Sequence, residues 1–113
     1  MASYSIGDIA AVIGGKLTRG SGGNISHILI DSRKVVFARE SLFFALKGTR
    51  NDGHRFIPEL YKAGVRNFVV DNLPQSLENY QYANFIAVAD TLKALHQLVS
   101  WHRSKMYTNR CFG

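Results

Sequence analysis

The stretch SLFFALKGTRNDGHRFIPELYKAGVRNFVVD, residues 41–71, runs from an apolar segment through a glycine-bearing loop and a helical pattern to a second apolar segment. Ser41 to Leu46 is nearly apolar throughout and reads as a strand covered on both faces. Gly48 to Gly53 reads as a loop. Phe56, Leu60 and Ala63 then fall on one helical face, with Gly64 at the stop position. Pro58 is tolerated only in the first turn, which places the helix start near 56–57. Val65 to Asp71, centred on Phe68, Val69 and Val70, reads as the next strand. Strand, helix, strand in this order predicts a parallel pair joined by a right-handed crossover.

On the N-terminal side, Ser5 followed by Asp8 resembles a capping box, and Ile6, Ile9, Ala10 and Ile13 recur at helical spacing up to Gly14-Gly15. That predicts a first helix at 6–13. Lys16 to Arg19 and Ile25 to Ile30 read as strands around the turn-rich GSGGN at 20–24, and pairing them as a hairpin would make the sheet mixed. On the C-terminal side, 72–82 is a loop around Pro74 and 85–88 a short strand. Asp90 caps a last helix with Leu92, Leu95, Leu98 and Val99 as its buried stripe. The expected architecture is α/β: a small mixed sheet of about five strands flanked by about three helices. The expected domain is 1–103. Residues 104–113 carry no periodic pattern and read as a tail outside the native fold.

At 113 residues the chain fits one domain. Its 46% apolar and 19% charged residues match a globular protein and exclude a disordered one. The longest stretches without Asp, Glu, Lys or Arg, 20–30 and 79–89, are eleven residues each, short of the roughly 18 a membrane-spanning helix requires. The N-terminus has no basic leader, and Cys111 stands alone, so the expected location is cytoplasmic. The formal charge is +6, and 91–113 holds four Lys or Arg and no acid. Such a balance suits a phosphate-bearing ligand, nucleic acid or an acidic partner, or simple solubility.

Two loops are candidates for a site. Asp31-Ser32-Arg33 follows a strand; a carboxylate, a hydroxyl and a guanidinium there can bind a polar ligand, and Arg33 can grip phosphate through paired N–H groups. The alternative is that Asp31 and Ser32 stabilise their own turn. Lys47-Gly48-Thr49-Arg50-Asn51-Asp52-Gly53-His54 joins a buried strand to a helix. Its glycines allow close approach of the main chain to an anion, with Lys47 and Arg50 adding charge. Asp52 also reads as a helix cap, and the segment is not a Walker loop, because His54 stands where Lys belongs. His27, His54, His96 and His102 have no metal-binding spacing. Phe43-Phe44 and Tyr80/Tyr82 offer base-stacking surfaces, with core packing the simpler reading for the phenylalanines.

Taken in order, Asp31-Ser32-Arg33, Leu42-Phe43-Phe44-Ala45-Leu46-Lys47-Gly48, Asn51-Asp52-Gly53-His54-Arg55-Phe56-Ile57, Ala63-Gly64-Val65 and Phe68-Val69-Val70 resemble the N-terminal domain of the Mur ligases over about residues 4–103. The wording from Asn51 to Val70 most resembles the ligase type that adds D-alanyl-D-alanine to the UDP-muramoyl tripeptide, including the form fused to an alanine racemase. The type that adds the third peptide residue shares the motifs. The resemblance implies a domain that binds the UDP end of a UDP-N-acetylmuramoyl peptide, with ATP and Mg²⁺ handled by a central domain and the incoming amine by a C-terminal one. It implies that Ser32 contacts the uridine and that Thr49, Arg50 and Asn51 lie against uracil and ribose, with Arg33 and Lys47 supporting that loop or the diphosphate. It assigns no catalytic and no metal-binding residue here, and expects a fragment without ligase activity of its own. The rivals are a basic nucleic-acid-binding module and an interaction domain docking through its last helix.

Overall fold

The computed structural model describes residues 4–18, 23–30, 38–47, 52–75 and 77–110, with side chains given up to His102. Among the described residues seven strands and three α-helices follow in the order β1 (Tyr4–Ser5), α1 (Ile6–Val12), β2 (Lys16–Thr18), β3 (Asn24–Ile25), β4 (His27–Leu29), β5 (Ser41–Phe44), α2 (Ile57–Ala63), β6 (Asn67–Val70), β7 (Asn84–Ala87) and α3 (Thr91–Arg110). The five-stranded sheet has the order β2-β7-β6-β5-β4, and β1 pairs with β3 in a separate two-stranded ribbon.

β4, β5, β6 and β7 are mutually parallel, with Leu29 opposite Phe43, Phe43 opposite Phe68 and Phe68 opposite Phe85. The sheet is mixed as expected, but for a different reason. β2 does not form a hairpin with the strand that follows it; it lies antiparallel to β7, Lys16 opposite Ala87 and Thr18 opposite Phe85. The single strand expected over 25–30 is divided at Ser26, whose N–H donates to the Glu40 carbonyl at 2.9 Å. β3 turns to β1 and β4 to β5.

Alternation along the central strands builds two cores. Leu42, Phe44, Val69 and Ile86 face α1 and α3, where they meet Ile6, Ile9, Ala94 and Leu98. Phe43, Ala45, Phe68, Val70 and Phe85 face α2, where they meet Ile57 and Leu60. A strand buried on both sides needs apolar residues at every position, which is why 41–46 is continuous rather than alternating. Each fully buried Phe or Leu contributes about 1.5–3 kcal/mol of transfer free energy. At the amino ends of the central strands, Asn84 Nδ2 donates to Asn67 Oδ1 at 2.8 Å and Asn67 Nδ2 to the Ser41 carbonyl at 3.2 Å, so these buried amides are paired.

The helix ends follow the sequence signals. Ser5 Oγ accepts from the Asp8 N–H at 3.1 Å, and Gly14 (φ +65°) ends α1 in the left-handed region. Gly64 (φ +108°) ends α2, its N–H meeting the Leu60 and Tyr61 carbonyls. Asp90 Oδ1 accepts from the Leu92 and Lys93 N–H groups. Two faces differ from expectation. In α2, Ala63 is exposed and Ile57 is buried with Leu60. In α3, Thr91, Ala94 and Leu98 are buried, while Leu92 and Val99 are 50% and 37% exposed. The α3 backbone stays helical to Arg110, so most of the segment expected as a patternless tail continues that helix.

Candidate functional site

Four adjacent parallel strands deliver their carboxyl ends to one edge of the sheet. There the chain leaves β4 at Ile30, β5 at Ala45, β6 at Asp71 and β7 at Val88. Ligand clefts in open α/β sheets form at such an edge. β4 and β5 are parallel neighbours, so the described chain leaves both at the same edge, and 31–37 and 48–51 come next in the sequence. Of the sequence-predicted site residues, Ser32, Arg33, Thr49, Arg50 and Asn51 lie outside the described residues. Lys47 is described, and it begins a connected polar cluster.

Lys47 and Asp52 form an isolated antiparallel bridge across 48–51. Immediately after it, the Gly53 N–H donates to the Leu46 carbonyl at 2.7 Å. A Cβ on Gly53 would stand 2.7 Å from the Leu46 nitrogen, so only glycine fits. Asp52 Oδ1 accepts from the His54 N–H at 3.0 Å, capping the 3₁₀ turn Gly53–Phe56 that leads into α2. The same oxygen lies 2.5 Å from His54 Nδ1. His54 Nε2 faces the end of β6: the Asp71 N–H approaches at 3.3 Å and Asp71 Oδ1 at 3.0 Å. The other Asp71 oxygen, Oδ2, lies 3.1 Å from Lys47 Nζ. Asp52, His54, Asp71 and Lys47 thus form a chain of contacts that returns to its start through the Lys47–Asp52 bridge.

The chemistry of this ring depends on protons. With one proton on the imidazole, Nδ1–H donates to Asp52 and Nε2 accepts from the Asp71 N–H. With two, each nitrogen donates to a carboxylate. Asp71 Oδ1 is buried beside Nε2 and has no hydrogen-bond donor among the described residues. Burial pushes the Asp52 carboxyl up, but the His54 backbone and side-chain hydrogen bonds, with the His54 and Lys47 charges, outweigh it and hold Asp52 below the ordinary carboxylate range. A depression of mixed polarity beside the cluster is bordered by Asp52, His54, Arg55, Asn72, Pro74 and Tyr80.

Reasoning from sequence assigned Asp52 its cap correctly but missed His54 and Asp71 as members of one cluster. The Asp-Gly-His spacing was the available signal for the first pair. Nothing local marks Asp71, which is brought in by strand pairing. Among the described residues no group of three or more His, Cys, Asp or Glu is placed to hold a metal. Phe43 and Phe44 are buried and offer no stacking platform. Tyr80 packs edge-on against Tyr61 and Phe85. A second, largely apolar cleft lies on the opposite layer, between Ile9, Ile25, Leu98 and the Tyr4–His102 pair, whose hydroxyl and Nδ1 are 2.7 Å apart. No described helix is long and apolar enough to cross a membrane.

The profile of the family described as "Mur ligase family, catalytic domain" matches residues 24–103. The chain is 32% identical over 106 residues to the UDP-N-acetylmuramoyl-tripeptide–D-alanyl-D-alanine ligase of Haemophilus influenzae, covering 94% of this chain and 22% of that protein. It is 39% identical over 77 residues to the UDP-N-acetylmuramoyl-L-alanyl-D-glutamate–2,6-diaminopimelate ligase of Phocaeicola vulgatus, covering 67% and 15%. A crystal structure of MurF from Acinetobacter baumannii superposes with a TM-score of 0.77 at 26% identity, covering 93% of this chain and 22% of that one. The chain spans 15–22% of the length of these relatives.

Proposed function

Because this chain belongs to the Mur ligase family, we propose that it recognises the UDP end of a UDP-N-acetylmuramoyl peptide in cytoplasmic peptidoglycan precursor synthesis. The proposed contacts are Ser32 and Arg33 after β4, and Thr49, Arg50 and Asn51 after β5, with Lys47 supporting the second loop. The observation that supports this most directly is the parallel pairing of β4 with β5. It makes the two motif-bearing segments leave adjacent strands at one edge. Uracil presents two carbonyl acceptors and an N–H donor, a pattern that the main chain of a glycine-containing loop can match. A wrong base would leave buried groups unpaired at about 1–3 kcal/mol each.

ATP and Mg²⁺ belong, in this proposal, to parts of the relatives that this chain does not cover. Its one Gly-Lys pair, Gly15-Lys16, is followed by Leu17 rather than Ser or Thr, and Lys16 is engaged in the β2–β7 pairing. The ligation step proposed is the addition of D-alanyl-D-alanine. The relatives named for that step include those covering 94% and 85% of this chain, whereas those named for diaminopimelate addition cover 64–71%. The expected fusion to an alanine racemase concerns sequence outside this chain.

Titration with UDP and with UDP-muramoyl tripeptide, followed by amide NMR shifts, tests the site. Ser32 and Thr49 to Asn51 are expected to move together. No movement at millimolar ligand, or binding to polynucleotide that weakens steeply with salt, would overturn the assignment.

A further inference from the structure

The polar ring at the carboxyl edge has one member that belongs to neither motif loop. Asp71 stands at the end of β6, between a fully buried Val70 and Asn72. Its strand is locked on both sides: the Ala45 N–H donates to the Val69 carbonyl at 3.0 Å and the Val88 N–H to the Val70 carbonyl at 2.8 Å. Asp71 is thus a fixed post. Its two oxygens face two different elements, Lys47 Nζ beyond β5 and His54 Nε2 in the turn before α2. His54 in turn holds Asp52.

We propose that Asp71 is a positioning residue for ligand recognition. From the end of β6 it fixes both residues that flank 48–51, Lys47 directly and Asp52 through His54. The Lys47–Asp52 bridge lies outside the named strands, next to the Gly53 N–H bond to the Leu46 carbonyl. The ion pair and the imidazole contact hold it from outside the loop. In this arrangement the Lys47 charge is turned toward Asp71 and serves the loop's foundation. The proposal rests on the reading of 48–51 as a UDP-contacting segment, and it assigns Lys47 an indirect role within that reading.

A double-mutant cycle on the 113-residue chain separates the possibilities, with UDP as the probe. Asp71→Ala is expected to weaken UDP binding about tenfold, the loss expected for a charged hydrogen-bonded contact. Lys47→Met is expected to weaken it severalfold in the native background and not at all in the Asp71→Ala background. An equal loss in both backgrounds means that Lys47 acts on the ligand itself, and overturns the proposal. Unchanged affinity in Asp71→Ala overturns it too. Asp71→Leu, which keeps roughly the side chain's size and carries no polar atom, takes the same place in the cycle where Asp71→Ala does not fold. If the native chain binds no UDP, the recognition reading fails separately. Amide exchange at Lys47 and Asp52 then decides the anchoring: faster exchange there, with β5 and β6 unchanged, upholds it, and unchanged exchange overturns it.

Discussion

Gly53 and Asp52 sit side by side and carry different constraints. Gly53 is buried with the Leu46 main chain where a side chain would begin. Gly53→Ala must push two backbone segments apart, and overpacking of this kind costs about 1–3 kcal/mol. Chemical denaturation should show that loss, and UDP affinity should fall with it, because the shift moves the Lys47–Asp52 bridge. Asp52 gives a pH signature. Its carboxyl is held below the usual range in the folded chain, while an unfolded Asp takes up its proton near pH 3.9. Below that value the unfolded chain binds more protons, so the contribution of Asp52 to stability is present above it and lost as pH falls toward the folded value. Asp52→Asn, which can still cap the turn, should flatten the acid side of a stability profile measured from about pH 5 downward. At this scale the sequence was half legible. The cap at Asp52 follows from a spacing of two residues, whereas the Asp71 partnership joins residues that only strand pairing brings together.

Among the elements, α3 is the most instructive. Leu92, Leu95, Leu98 and Val99 satisfy a helical stripe on paper, yet the buried face is centred on Thr91, Ala94 and Leu98. Small residues at 91 and 94 let the helix approach the sheet closely, and a reading that counts only large apolar side chains rotates the helix the wrong way. Leu98→Ala should therefore cost about 2–5 kcal/mol, whereas Leu92→Ala should change stability by no more than about 0.5 kcal/mol. Paired thermal melts of the two variants check the rotation. α2 behaves similarly: its start and stop were legible from Pro58 and Gly64, but the buried residue of its first turn is Ile57. Local signals fix where these helices begin and end. Which side faces inward depends on the partner surface.

For the whole molecule, the layering was legible because strands buried on both faces must be apolar at successive positions, and 41–46 and 67–70 are nearly so. The place of β2 was not legible, since a three-residue strand carries no mark of its partner. That strand covers the outer edge of β7, and α1 beside it covers Leu42, Phe44 and Ile86. Removing residues 1–18 should abolish the cooperative unfolding transition, which calorimetry would show as the loss of a single heat-absorption peak. The β2–β7 pairing also bears on how the chain is made. Lys16 leaves the ribosome roughly seventy residues ahead of its partner Ala87. During that interval the first helix and strand have no seat to occupy, and the nascent segment waits for nearly the entire domain to emerge before it can be clasped into place.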